Sequence, residues 1–512
     1  MKKMLSIAVA AIAIASNAAG NFEKIGGIQV VDTTGLTSTV MKLGEISGNT
    51  MVAAMAAAKI AEIPSSAFFG PTRQGCSIYL PLYIDTEDLA NADDFSEFAS
   101  DIQFALVYPM ALPKEEFLKL HPGAVETNGM VRVKGELLTA KEDWDDDSVV
   151  YVAFSEDGKW AVASEEEPVR VALALADVAL AEKPMEGDVF RCNFTPRGVS
   201  AMRKFITDDE AKRLADGVDS FAAALRVSDA GVDTHGSVRL VADSDLAKFG
   251  VATLPEDPFE FDKGESVSAL ANSFVDESGF AKSFGELLSI LAKNGVDIRK
   301  FVTCVETGDS CRVSCDFGAA IKHFSDPANS LIDVDTDKIM EDIEAWDAGS
   351  SAKPATKAQG ISLAIAGYKP KFSATQRFAA VLPEVKGKKL CYANTYSPCA
   401  FVQAIVASVL PTLDIAIRSE IAPVVALLPQ ESVGGLAAAY WRDGDELGFI
   451  GRLSADELRN VVTGATAIFA YTMMMREKQI DAEAGEDCAD DDDDDDDDED
   501  SDDEDDTEDD ED

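Results

Sequence analysis

The chain has 512 residues, of which 46% are hydrophobic, and its formal net charge at pH 7 is −48. This acidic excess argues against nucleic-acid binding, because phosphate contacts require clustered Lys and Arg side chains. The length suffices for about two to four folding units with cores of their own, and eight cysteines are too few for a disulfide scaffold.

The first residues have the composition of an export signal. Two lysines precede an apolar stretch, 4–15, that is far shorter than the ~20 residues of a membrane span. Small residues then permit cleavage after Ala18 or Gly20. We expect residues 1–20 to direct export to the periplasm, the cell envelope or the medium. The first cysteine is Cys76, so we do not expect a lipoprotein.

A repeated order of patterns follows an N-terminal segment, 21–101, in which we predict an Ala-rich helix and a strand. Each repeat has the order strand, helix, hairpin, helix, and Asp-Gly or other Gly-containing turns mark the hairpins. The predicted bounds are 102–186 for the first unit, 187–252 for the second, 253–348 for the third, 349–360 for a linker and 361–480 for the fourth.

The predicted fold class is therefore α+β, with three or four tandem β-α-β-β-α units, antiparallel sheets and helices packed on one face. The first strand of a following unit would complete a ferredoxin-like sandwich. The alternative is one continuous antiparallel sheet with helices on one face.

The corners between strand and helix carry residues with clear structural roles. Thr195 and Ser397 each precede a proline, which suits a helix N-cap followed by the first helical position. The strand ends also carry Asn193, Asn272 and Asn394. We interpret these asparagines as turn formers rather than as equivalent ligand contacts.

The segment CYANTYSPCAF, 391–401, contains two of the cysteines. Cys399 would lie in the first turn of a helix, where the helix dipole lowers a thiol pKa, so it is the best candidate for a reactive thiol. No histidine lies close to it in sequence. The other interpretation is that Cys391 and Cys399 are buried thiols or belong to long-range disulfides.

The hairpin 301–317 predicts one disulfide. A two-residue turn at Thr307-Gly308 would place Cys304 opposite Cys311, at a separation that a bridge tolerates. A metal site that also uses Cys315 would lack an evident fourth ligand.

The segment DVDTDKIMEDIE spaces its carboxylates as a calcium-binding loop does, at Asp333, Asp335, Asp337 and Glu344. However, Lys338 occupies the position where such a loop needs glycine. We therefore interpret the segment as the acidic start of a helix.

The C-terminal residues 481–512 are predicted to be a disordered acidic tail. From position 490 onward 21 of 23 residues are acidic, which leaves a net charge of −27 on the remainder. Such a run repels itself and cannot bury apolar surface. It is a candidate for weak divalent-cation binding, for example at Asp490, Asp491 and Asp492, or for docking on a basic partner. The alternative is a solubilising role.

Two apolar stretches near the C-terminus, 401–429 and 461–475, are interrupted by charges or too short to span a membrane, so we expect no transmembrane segment in the mature chain.

Motifs for phosphate loops, zinc proteases and serine hydrolases are missing from the sequence. We therefore predict an exported, non-catalytic binding or structural protein without a cofactor, whose partner is an unidentified protein or envelope component. One alternative is a glycosidase-like hydrolase that uses dispersed carboxylates. The other is a calcium-dependent surface protein that uses the tail.

Overall fold

A computed structural model describes residues 22–62, 68–85, 102–137, 148–165, 168–206, 209–274, 280–329, 331, 334–347 and 354–486. The predicted signal sequence and most of the predicted tail lie outside these residues. The described chain is a mixed α/β structure with thirteen helices and a large, mostly antiparallel sheet. The described residues up to Gly464 belong to one compact unit.

The strands in chain order are β1 (Phe22–Val31), β2 (Ser77–Asp85), β3 (Gln103–Phe104), β4 (Leu106–Pro109), β5 (Val125–Thr127), β6 (Met130–Lys134), β7 (Val149–Phe154), β8 (Trp160–Glu165), β9 (Asp188–Phe194), β10 (Val218–Ser228), β11 (Gly231–Leu240), β12 (Ser268–Asn272), β13 (Val302–Thr307), β14 (Ser310–Cys315), β15 (Gln359–Ile365), β16 (Leu390–Tyr396), β17 (Leu436–Asp443) and β18 (Glu446–Ser454).

The helices are α1 (Thr33–Ser47), α2 (Thr50–Glu62), α3 (Lys114–Leu120), α4 (Pro168–Ala174), α5 (Pro196–Arg203), α6 (Asp209–Ala215), α7 (Phe280–Lys293), α8 (Phe317–Phe324), α9 (Thr336–Asp347), α10 (Ala374–Val381), α11 (Pro398–Val409), α12 (Ile415–Ala426) and α13 (Ala455–Glu486). A further helical turn covers Val178–Ala181.

Strand pairings join all eighteen strands into one sheet. The neighbours follow the order β5-β6-β7-β8-β4-β2-β1-β9-β10-β11-β18-β17-β16-β12-β15-β14-β13, and β3 also pairs with β2. Among the strands of the described residues, only β14 and β15 run parallel. The pairing therefore corresponds to the continuous-sheet alternative. The strand after the predicted linker, β15, pairs with β12 and β14, so it belongs to the same sheet.

The seam between β11 and β18 lies between two similar arrangements of strands. On one side β9, β10 and β11 are neighbours, and on the other side β16, β17 and β18 are neighbours. His235 pairs with Ile450 near the middle of the seam. Because β10-β11 and β17-β18 are both hairpins, each position of one arrangement has a counterpart in the other.

Helices cover both faces of the sheet, which corrects the expectation of a single covered face. Residues directly opposite each other in paired strands share a face. Face A is defined by Arg191, Ala224 and His235, and α4 and α10 pack on it. Face B is the opposite face, where α5 and α11 pack.

The core under α10 shows why that helix lies on face A. Its residues Ala374, Phe378 and Val381 recur at helical spacing and pack against Ala437 and Ala439 of β17. Burial of these apolar groups stabilises the packing of α10 on the sheet, by roughly 25 cal/mol per Å² of apolar surface removed from water.

Candidate functional site

Face A of β9, β10 and β11 carries small and polar residues. Arg191, Ala224 and His235 lie directly opposite one another, and Asn193, Ala222 and Ser237 form the neighbouring row. Asn193 and Ala222 are exposed. We call this surface, defined by these six residues, the open groove.

A buried carboxylate organises one end of the groove. Asp188 accepts hydrogen bonds from Arg191 Nε at 2.6 Å and from Arg226 Nε at 2.8 Å, and its side chain is only 3% exposed. Arg191 also donates to the carbonyl oxygens of Pro184 and Met185. The same arginine therefore fixes the loop that forms one wall of the groove.

His235 contacts this network through both ring nitrogens. Arg226 Nη2, which can only donate, lies 3.2 Å from His235 Nε2, so this ring nitrogen accepts. The proton then resides on Nδ1 and is donated to Asp233 Oδ1 at 3.0 Å. Asp233 is fully buried and also accepts from Arg452 Nη2 at 3.2 Å across the seam.

The network ends at α10. Arg452 Nη1 donates to the carbonyl oxygen of Val381, the last residue of that helix, at 3.0 Å, and Arg452 also pairs with Glu384. Each buried charge thus has a partner of opposite sign, as burial requires.

A cavity of about 450 Å³ lies over the groove, and its wall includes Leu180, Lys183 and Glu186. Tyr79 forms another side of the cavity. Its ring packs against Gly27, in the space that a Cβ atom at this position would need. Burial raises the pKa of Tyr79, so its hydroxyl stays protonated near neutral pH. The cavity therefore offers hydrogen-bond donors and acceptors above a floor of small side chains.

The corresponding surface across the seam is filled. The hairpin register makes Ala437 and Ala439 the counterparts of Ala222 and Ala224. Both are fully buried, because α10 packs over β16, β17 and β18. At two further counterpart positions the filled surface has Ala393 and Ile450 where the open groove has Arg191 and His235, and it has Trp441 where Arg226 lies at the rim of the groove.

A second cavity, of about 810 Å³, includes the carboxylates of Asp32, Glu182 and Glu186 in its wall, and the first two have structural hydrogen bonds. Asp32 accepts from the backbone N–H of Gly35 and caps α1. Glu182 accepts from the indole N–H of Trp160. Asp32 and Glu182 therefore hold a helix start and an indole ring in place.

The two cysteines of CYANTYSPCAF are fully buried. Burial, reinforced by Glu457, raises the pKa of the Cys399 thiol, which is opposite to the direction expected from the helix dipole. Burial raises the pKa of Cys391 to about 11. Both environments favour the neutral thiol, and a reactive Cys399 stays a prediction.

The structure brings Cys304 and Cys311 to disulfide distance, with their Cα atoms 6.6 Å apart. The predicted register of this hairpin is wrong, however. Thr307 pairs with Ser310, so the turn is Gly308-Asp309, and Cys304 lies opposite Val313. The two cysteines are therefore diagonal neighbours on one face rather than a directly opposed pair.

The candidate calcium ligands do not form a cluster in the described residues. Asp335 caps α9 by accepting from Lys338 N at 3.1 Å, while Asp337 and Glu344 lie within that helix. In the described part of the chain, no group of three or more His, Cys, Asp or Glu side chains could hold a metal ion. Asp333, Asp490, Asp491 and Asp492 lie outside it.

The three asparagines have different environments. Asn272 accepts from Phe274 N, as a turn former does. Asn193 lies on face A and Asn394 on face B, so the two are not equivalent, and the counterpart of Asn193 is the buried Thr395. The N-caps are confirmed, since Thr195 and Ser397 accept from Gly198 N and Ala400 N.

Sequence reasoning missed the Asp188–Arg226–His235 network. Alternation along the β10-β11 hairpin does place Arg226, Asp233 and His235 on one face, so part of the signal was present. Asp188 and Arg452 come from distant strands, and no local pattern connects them to the hairpin.

No helix of the described residues is long and apolar enough to cross a membrane. No protein-family model, curated protein or solved structure matches this chain.

Proposed function

We propose that this chain is an exported, non-catalytic binding protein, and that the open groove binds a polypeptide segment of another protein. One observation carries the proposal: α10 covers face A over β16–β18, whereas the corresponding surface over β9–β11 exposes Ala222 and Asn193. The similar strand order on both sides of the seam favours two related halves, of which one has retained an accessible surface.

The chemistry of the groove supports binding rather than hydrolysis. Its ionised groups are paired with each other through Asp188 and Asp233, which holds them in fixed positions. A glycosidase-like hydrolase would instead need two carboxyl groups facing each other at about 5–10 Å across a cleft. In the cavity of about 810 Å³, Asp32 and Glu182 are hydrogen-bonded to the protein itself.

A displayed library of random peptides, selected against the mature full-length chain, tests this function. The selected peptides are then bound to two variants, Ala222→Arg in the groove and Ala230→Arg in the exposed turn of the same hairpin. We expect a class of peptides that binds wild type and Ala230→Arg but not Ala222→Arg. Selection of peptides that never distinguish the two variants would contradict the proposal.

A further inference from the structure

We propose that the open groove receives an α-helix, laid across β9, β10 and β11 as α10 lies across β16, β17 and β18, with an acidic side chain facing Arg226. This inference rests on the proposed binding function and adds the conformation and chemistry of the partner.

The dimensions of the surface suit a helix. Neighbouring strands are about 4.8 Å apart, so three strands span about 10 Å between the outer pair. A helix with its side chains is about 10 Å wide. In the filled half, α10 contacts β16, β17 and β18, and its apolar residues share a core with theirs.

The floor of the open groove has the same small residues that allow α10 to approach the sheet closely in the filled half. Ala222 and Ala224 correspond to Ala437 and Ala439, over which Phe378 and Val381 pack. Small floor residues leave room for large apolar side chains of the helix. The partner helix should therefore present an apolar strip with the spacing of Ala374, Phe378 and Val381.

At its rim the open groove has a charged residue where the filled half has an aromatic one. This difference determines which polar side chain the partner helix should carry. Arg226 stands where the filled half has Trp441. Its Nε and Nη2 donate to Asp188 and His235, and among the described residues no partner is assigned to Nη1. Its side chain is 34% exposed. A carboxylate on the helix would accept from this nitrogen and gain a charge-assisted hydrogen bond.

The first probe is a stapled helical peptide of this chain's own residues 372–382, carrying a fluorescent label. We expect saturable anisotropy changes with the mature full-length protein and with Ala230→Arg. Ala222→Arg should weaken binding at least about tenfold, because the arginine occupies the contact surface. Thermal unfolding of each variant verifies that it is folded. No saturable binding, or equal binding by Ala222→Arg, would overturn the helical partner.

The second probe is a set of the same peptides with one glutamate at successive positions. We expect one of them to bind wild type about tenfold more tightly than the parent, and Arg226→Met to remove that gain. If no glutamate improves binding, the acidic contact is wrong. The two proposals can be told apart. If selected library peptides bind wild type but not Ala222→Arg, while the helical probes do not bind, the binding function stands and only the proposal of a helical partner is wrong.

Discussion

At the scale of single residues, one buried carboxylate holds the corner that begins α11. Glu457 is fully buried and accepts hydrogen bonds from Ser397 Oγ at 3.0 Å, Cys399 N at 2.7 Å and Ser432 Oγ at 3.0 Å. It therefore joins the first turn of α13 to the first turn of α11. Within CYANTYSPCAF, Ser397 and the backbone N–H of Cys399 therefore have a structural role.

Removing this carboxylate should destabilise the fold strongly. We expect Glu457→Ala to lower the free energy of unfolding by about 3 kcal/mol, because two buried donors and one partly buried donor lose their acceptor. Glu457→Gln should cost less, since the amide oxygen still accepts. Urea denaturation measures both, with the exposed Glu420→Ala as the control, for which we expect a change within about 0.5 kcal/mol. Equal changes in the free energy of unfolding for Glu457→Ala and Glu420→Ala would refute the stabilising role of the Glu457 carboxylate.

Cys391 predicts a pH dependence of stability. Its pKa rises on folding from an ordinary 9.0 to about 11, so above pH 9 the folded chain holds a proton that the unfolded chain releases. The stabilisation is complete below pH 9 and is lost as the pH rises towards 11, by about 3 kcal/mol.

Chemical denaturation at several pH values between 8 and 11 tests whether the stability falls in this direction. We expect the difference in unfolding free energy between wild type and Cys391→Ala to shrink by about that amount as the pH rises. A difference that stays constant over this interval would show that the thiol is not protected by burial.

At the scale of elements, the helix starts are the part of the fold that the sequence predicts best. An N-cap hydroxyl followed by proline is a local signal, and it correctly locates the starts of α5 and α11. The hairpin β13-β14 shows the opposite case. Its register depends on the turn Gly308-Asp309, and the alternating pattern alone does not choose between neighbouring two-residue turns.

The two N-caps should differ in strength. Thr195→Ala removes the cap to Gly198 N and a partly buried hydrogen bond from Oγ1 to the neutral carbonyl oxygens of Lys24 and Ile25, and should cost about 1 kcal/mol. Ser397→Ala removes a cap and also the bond to Glu457, so we expect about 2 kcal/mol or more. Chemical denaturation of both variants provides the comparison. A larger loss of unfolding free energy for Thr195→Ala than for Ser397→Ala would contradict the hydrogen bonding described at the start of α11.

At the scale of the whole molecule, the order of strands could not be predicted from the sequence. The pairs β1–β9, β11–β18 and β12–β16 join segments far apart in the chain, and their choice depends on tertiary packing rather than on local periodicity. The open groove depends on the same pairs, because Asp188, His235 and Arg452 meet only after these strands are placed.

A single sheet predicts cooperative unfolding of residues up to 464. We expect one calorimetric transition for this unit, since strands of the second and third predicted units pair with strands of the fourth, and the first unit joins the same sheet through β2 and β1. Scanning calorimetry of the mature chain, with far-UV circular dichroism as a second probe, checks this. Separate transitions for the segments 102–186, 187–252 and 253–348 would contradict it.

The central claim is that one of two corresponding surfaces is open and the other is filled. The stability of Ala222→Leu compared with that of Ala437→Leu tests it most directly, because the two alanines are counterparts that differ in burial. We predict that Ala437→Leu lowers the free energy of unfolding by about 1–3 kcal/mol through overpacking under α10. Ala222→Leu should change it by less than about 0.5 kcal/mol. Equal destabilisation by both substitutions would show that the groove is not open, and the account would be wrong.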